Sequence, residues 1–86
     1  MMDTIPRIEK LNTLKNYMLD VLFTDGKRVI YDVKEDINTI DSYKILLDEN
    51  LFKEVKLSES KSSIFWTDMV DLPSDILYEY GIDKID

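Results

Sequence analysis

Apolar and polar positions alternate through the stretch "YMLDVLFTDGKRVIYDV". Tyr17, Leu19, Val21 and Phe23 fall on one side, and Met18, Asp20, Leu22 and Thr24 on the other. A period of two places alternate side chains on opposite faces of a strand. Asp25-Gly26 follows, a two-residue turn signal of type I′, in which both positions take positive φ. Val29, Tyr31 and Val33 then resume the alternation. The stretch predicts a β-hairpin with one buried face.

Ahead of it, Ile8, Leu11 and Leu14 are spaced by three. That spacing fits neither a clean strand nor a long helix. Pro6 suits the beginning of an edge strand. The segment predicts a first strand interrupted by a bulge. Behind the hairpin the period changes. Ile37, Ile40, Tyr43 and Leu47 recur at threes and fours, one face of a helix. Asn38, Thr39 and Asp41 are candidate N-caps. A short helix is expected over residues 40–47, ended by the polar "DEN". Strand character returns in "LFKEVKL", with Val55 and Leu57 on one side. "SESKSS" is a polar turn, and "SIFW" a strand with Ile64 and Trp66 on one face. These two predict a second hairpin.

The tail "DLPSDILYEYG" reads as a turn into a short helix. Pro73 fixes φ at its start, and Ser74 or Asp71 can accept from free backbone N–H groups. Ile76, Leu77 and Tyr80 give it an apolar side, and Gly81 is a natural stop. The element order predicts one α+β domain over residues 1–86. It would be a small mixed sheet of two hairpins plus an N-terminal strand, with a short central and a short C-terminal helix.

Composition narrows the function. The 86 residues are 44% hydrophobic with 2 Gly and 2 Pro, which suits a folded core rather than a disordered chain. There is no cysteine, so no disulfide supports it. No apolar run nears the roughly 20 residues needed to span a bilayer. "MMDTIPRIEK" lacks a basic region followed by an apolar one, so no signal peptide is expected. The reading is a soluble cytoplasmic protein. Net charge is −7, and residues 1–35 carry as many basic as acidic side chains. All the excess acid therefore lies in residues 36–86. Such a chain repels phosphate, which argues against direct nucleic-acid binding. A basic protein partner would be attracted, although acid alone also keeps a small domain soluble.

With no His and no Cys, the usual zinc sites, thiol nucleophiles and His-based triads are excluded. Gly26 and Gly81 are isolated, so there is no phosphate loop. Asp68, Asp71 and Asp75 lie close in sequence and could hold Mg²⁺ or Ca²⁺, but not with the alternate spacing of an EF-hand. Acids leading into a helix more often cap it and complement its dipole. Two carboxylates could also do general acid–base work, but that needs a cleft a domain this small seldom has. No cofactor is expected. Lys27, Arg28 and Lys34 read as a solvated or edge-protecting face. Trp66 and Leu77 are expected to meet in the core. Tyr78 and Tyr80, two apart on a helix, cannot both point inward.

Three stretches together resemble the small bacterial domains of the domain of unknown function family 2442. They are "YMLDVLFTDGKRVIYDV", then "LLDENLFKEVKL" with Leu46, Asp48 and Phe52, then "WTDMVDLPSDILY" with Trp66, Asp71, Leu72, Asp75, Leu77 and Tyr78. The likeness runs from about Ile8 to Tyr78. Two departures stand out: Thr67-Asp68-Met69 follow the tryptophan where that family often has Pro-Asn-Gly, and Ser74 separates Pro73 from Asp75. The resemblance implies a compact α+β fold and no established enzyme activity. Some members are fused to a helix-turn-helix domain, for which a chain ending at Asp86 is expected to leave no room. Others sit beside a second short gene in a toxin–antitoxin-like arrangement, which implies a partner-binding protein.

The expected function is a non-enzymatic protein–protein interaction module, in one form the antitoxin-like partner of a small toxin. Asp68, Asp71, Asp75 and Glu79 would make the contact, with Tyr78 or Tyr80 as apolar anchor. Two alternatives stand beside it. One is a metal-dependent hydrolase built on Asp68, Asp71 and Asp75. The other is a homodimer paired through a strand edge.

Overall fold

Leu19, Val21 and Phe23 are at most 1% exposed, and their burial fixes the first hairpin. They lie on β2 (Met18–Phe23), which pairs antiparallel with β3 (Arg28–Asp32) in the register Leu19↔Tyr31 and Val21↔Val29. A computed structural model provides this view, and it describes residues 5–84. The leader reading at residues 1–4 lies outside them.

The expected two-residue turn is a three-residue one. Only Gly26 takes positive φ, at 97°. Its N–H donates to the Phe23 carbonyl at 3.0 Å, and the Phe23 N–H to the Lys27 carbonyl at 2.8 Å. The Asp25 carboxylate accepts from the Lys27 N–H at 2.9 Å. That local bond holds Asp25 at negative φ and leaves the reversal to glycine alone.

β1 (Ile8–Leu14) completes the expected three strands, and its register with β2 shifts between Ile8 and Lys10, the bulge that the irregular spacing predicts. Asn16 and Tyr17, in the turn between them, have φ of 61° and 60°. The left-handed region costs a non-glycine residue roughly 1–2 kcal/mol. Tyr17 is held there from three sides. Its hydroxyl donates to the Leu47 carbonyl at 2.5 Å, its ring packs edge-on to Phe52, and its carbonyl accepts from the Val33 N–H.

The single central helix is a set of three short pieces: α1 (Lys34–Thr39), a 3-10 stretch (Asp41–Leu47) and α2 (Glu49–Phe52). Extended residues interrupt them. Ile40 has φ −117° and ψ 116°, and Asp48 has φ −71° and ψ 107°. Asn38, Thr39 and Asp41 cap nothing with their side chains. Asp48 caps α2 instead, accepting from the Asn50 N–H at 3.0 Å. The breaks rotate the apolar face. Ile37 and Tyr43 are buried as expected, but Ile40 and Leu47 are exposed and Leu46 takes the core position.

The rest departs from one mixed sheet. β4 (Lys56–Leu57), β5 (Ser63–Thr67) and β6 (Val70–Pro73) form a separate antiparallel sheet in the order β4-β5-β6. The second hairpin is present, but Leu51 and Phe52 belong to α2 and not to its strand. β6 stands where a turn was expected. Val70 and Leu72 point in and Asp71 and Pro73 out. An edge position tolerates the missing N–H of Pro73. α3 (Ser74–Tyr80) follows, with no side-chain N-cap. Asp71 lies on the strand, and the buried Ser74 hydroxyl donates to the Pro6 carbonyl at 2.5 Å.

Finally β7 (Ile82–Asp83) adds to the first sheet, in the order β1-β2-β3-β7. The fold is α+β, two small antiparallel sheets with short helices. Gly81 stops α3 for a reason other than left-handed geometry, since its φ is −69°. A Cβ there would sit 2.6 Å from the Leu77 carbonyl oxygen and 2.7 Å from Val29. Glycine lets the chain pass close over β3. The two sheets share one core, in which Trp66 stacks on Phe52 and donates from Nε1 to the Phe52 carbonyl at 2.8 Å. Leu77 is fully buried, as expected. No described helix is long and apolar enough to cross a membrane.

Among the described residues one charged side chain is buried, Asp20 at 7% exposure. Arg28 grips it with Nε at 2.8 Å and Nη2 at 2.6 Å, and Lys84 Nζ lies 3.7 Å away. The Arg28 hydrogen bond, outweighing desolvation and helped by both positive charges, holds the carboxyl below its ordinary value. A depressed folded pKa stabilises the fold above the unfolded value near 4 and ceases to as pH falls through the folded one. Asp20→Asn should therefore lower stability by about 1–2 kcal/mol at neutral pH, with Arg28 losing its charged partner. The gap to wild type should narrow below about pH 4. Thermal melts of both proteins from pH 7 to pH 3 check this; a gap independent of pH would refute it.

Candidate binding groove

β7 is short, and this creates the most distinctive surface feature. It pairs with β3 only through Val29↔Asp83 and Ile30↔Ile82. Tyr31 and Asp32 extend past it toward α1. Beside them α3 brings Ile76 and Tyr80, and the first turn of α1 brings Glu35 and Asp36. Together with Ile30 and Ile82 they line a groove of about 530 Å³.

The groove is apolar along one side and acidic along the other. Tyr80 is 68% exposed and Ile82 is 75% exposed, while Ile76 is half-buried against the core. Asp32, Glu35 and Asp36 supply three carboxylates, and among the described residues no Lys or Arg lines the groove. Asp32 accepts from the Lys34 N–H at 2.9 Å. Asp36 accepts from the Tyr31 hydroxyl at 2.7 Å. Burial, and then that bond, push the Tyr31 hydroxyl well above the usual tyrosine range, so it stays a donor. Among the described residues the Glu35 carboxylate makes neither a hydrogen bond nor an ion pair. The adjacent Lys34 is drawn elsewhere, with Nζ 5.3 Å from the Tyr17 ring centre. The arrangement can hold a cation against an aromatic ring with an apolar group beside it.

Of the six residues expected to make the partner contact, Tyr80 alone lines the groove. Tyr78 turns the other way and fastens α3 to the first hairpin. Its hydroxyl donates to Asp25 at 2.6 Å, its ring meets Phe23 edge-on at 4.9 Å, and Lys27 Nζ lies 4.1 Å from the ring centre. That hydrogen bond lowers the Asp25 carboxyl and raises the Tyr78 hydroxyl. Glu79 is exposed on α3, and Asp75 is exposed in its first turn, accepting from the Ile76 N–H at 3.0 Å. Asp71 points outward from β6, and Asp68 lies in the β5–β6 turn. The structure does not gather them. Among the described residues no three acidic side chains come together to hold a metal ion; Asp68, Asp71 and Asp75 are spread over the β5–β6 turn, β6 and α3.

The sequence reading missed Asp32, Glu35 and Asp36. The available signal was an acid-rich "DVKED" directly after a buried strand. A second cavity of about 580 Å³ lies by the β1–β2 turn, where Lys15 and Lys53 face Glu49. Its mixed charge marks no ligand class. No family model, curated protein or solved structure matches this chain.

Proposed function

We propose that the protein is a non-enzymatic protein-interaction module of the cytoplasm. Its groove receives a segment of a partner protein that presents Lys or Arg beside an apolar side chain. One observation carries this reading: among the described residues three carboxylates and no cation line the groove, beside the exposed Tyr80 and Ile82. Charge complementarity selects the partner, and the chain's overall −7 steers its approach. The antitoxin-like pairing that the resemblance implies is one form of it, with a small basic toxin as the partner.

Affinity capture tests the proposal. The immobilised chain should retain a basic protein from its host's lysate at about 50 mM salt and release it near 0.5 M, where screening is nearly complete over a few ångströms. Tyr80→Ser combined with Glu35→Lys should abolish capture. Changing Asp68, Asp71 and Asp75 together to Asn should leave it within about twofold, since exposed charges off the contact add little. Retention by the groove variant, or loss by the triple variant, would move the contact elsewhere. An empty wild-type column would count against the proposal as well.

A further inference from the structure

β7 covers only part of the edge of β3. In an antiparallel ladder, successive residues turn their N–H and C=O alternately to the two neighbouring strands. Toward β2, the Val33 N–H donates to the Tyr17 carbonyl at 3.0 Å, which gives that side to Val29, Tyr31 and Val33. Toward β7, the Lys84 N–H donates to the Arg28 carbonyl at 2.8 Å, which gives the other side to Arg28, Ile30 and Asp32. Ile30 meets Ile82 there. Asp32 has no strand residue opposite it on this side, because Tyr80, next in the register, belongs to α3. Among the described residues neither the N–H nor the C=O of Asp32 has a hydrogen-bond partner, and only its carboxylate is engaged, by the Lys34 N–H. A backbone donor and a backbone acceptor therefore face the groove that Asp32 lines.

We propose that the partner segment enters this groove extended, as one more antiparallel strand on β3, end to end with β7. The inference rests on the groove reading above and adds the shape and pattern of the partner to it. A helix spends its backbone groups on itself and would leave the Asp32 pair unmet. A strand supplies one acceptor and one donor where that pair needs them. The strand also sorts the side chains. Tyr31 points into the core, so Asp32 points to the outer face, where Ile82 lies beside Ile30. A partner residue opposite Asp32 shares that face. Charge makes it Arg or Lys, with its stem on Ile82 and its head at the Asp32 carboxylate. The residues before and after it point the other way, to the side on which α3 packs, where Ile76 and the Tyr80 ring offer an apolar wall. The segment recognised is thus a strand with a basic residue between two apolar ones.

The peptide Leu-Arg-Leu-Arg-Leu, capped at both ends, tests this. At saturation it should slow hydrogen exchange of the Asp32 amide at least about tenfold, since that donor gains a partner. In the strand each arginine N–H points at β3 and each leucine N–H away from it. Methylating the arginine amides should therefore weaken binding at least about tenfold, and methylating the leucine amides less than about twofold. Amide shifts in the groove without slowing at Asp32, or two methylated peptides of equal affinity, would overturn the strand and leave the groove reading standing. A peptide that moves no amide in residues 30–36 and 76–82 would overturn both.

Discussion

Trp66→Ala should cost the protein about half of its stability. Trp66 is 8% exposed, stacks on Phe52 with ring centres 5.8 Å apart, and satisfies the Phe52 carbonyl from Nε1. Phe52 in turn supports Tyr17, whose left-handed backbone depends on that packing. The indole thus ties the second sheet to the turn of the first. Removing it opens a cavity and orphans a carbonyl, about 3–5 kcal/mol together. A domain of this size has roughly 5–10 kcal/mol in all. Trp66→Phe should cost about half as much, since it keeps the ring and loses only the hydrogen bond and part of the volume. Urea denaturation followed by far-ultraviolet circular dichroism measures both, because the variants remove the only tryptophan fluorophore. A Trp66→Ala midpoint within experimental error of wild type would refute this view of the core.

Gly81→Ala should have the next largest effect, about 3 kcal/mol. The residue is not in a glycine-only conformation, so alanine suffers no dihedral penalty there. The cost is one of space. The new methyl would lie 2.6 Å from the Leu77 carbonyl oxygen and 2.7 Å from Val29, and neither has a flexible end that can swing aside. Relief requires β7 to move off β3. That displaces Ile82 and removes one wall of the groove. Gly81→Ala should therefore lose both stability and partner capture, while Tyr80→Ser loses capture alone. Thermal melts paired with the capture assay separate the two. Full stability in Gly81→Ala would show that the approach of β7 to β3 is looser than described.

The first hairpin was legible in the sequence because one of its faces is wholly buried, which enforces alternation. Trp66 was legible as core for the same reason, and Leu77 from the apolar side of the tail helix. The central segment was not. A spacing of threes and fours is produced equally by one helix and by three short turns, and the extended Ile40 and Asp48 that separate them leave no compositional mark. β6 was hidden because Asp71 and Pro73 are poor strand formers and only its pairing with β5 makes it a strand. The groove was half legible. That Tyr78 and Tyr80 must point apart follows from helix geometry, and Tyr80 is indeed exposed. Its acidic partners did not follow. Asp32 and Glu35 belong to the charge-balanced part of the chain, so counting charge pointed toward Asp68, Asp71 and Asp75. The long-range pairing of β7 with β3, and the packing of α3 on the first hairpin, bring the two regions together.

The central claim is that a basic segment binds between α3 and α1. Its most direct test is amide shift mapping of the isotopically labelled chain, titrated with a short peptide in which arginine alternates with leucine. The prediction is that shifts concentrate in residues 30–36 and 76–82, vanish in Tyr80→Ser, and fade near 0.5 M salt, where the Debye length falls to about 4 Å. Shifts centred on residues 68–75, or spread evenly over every acidic side chain, would contradict it.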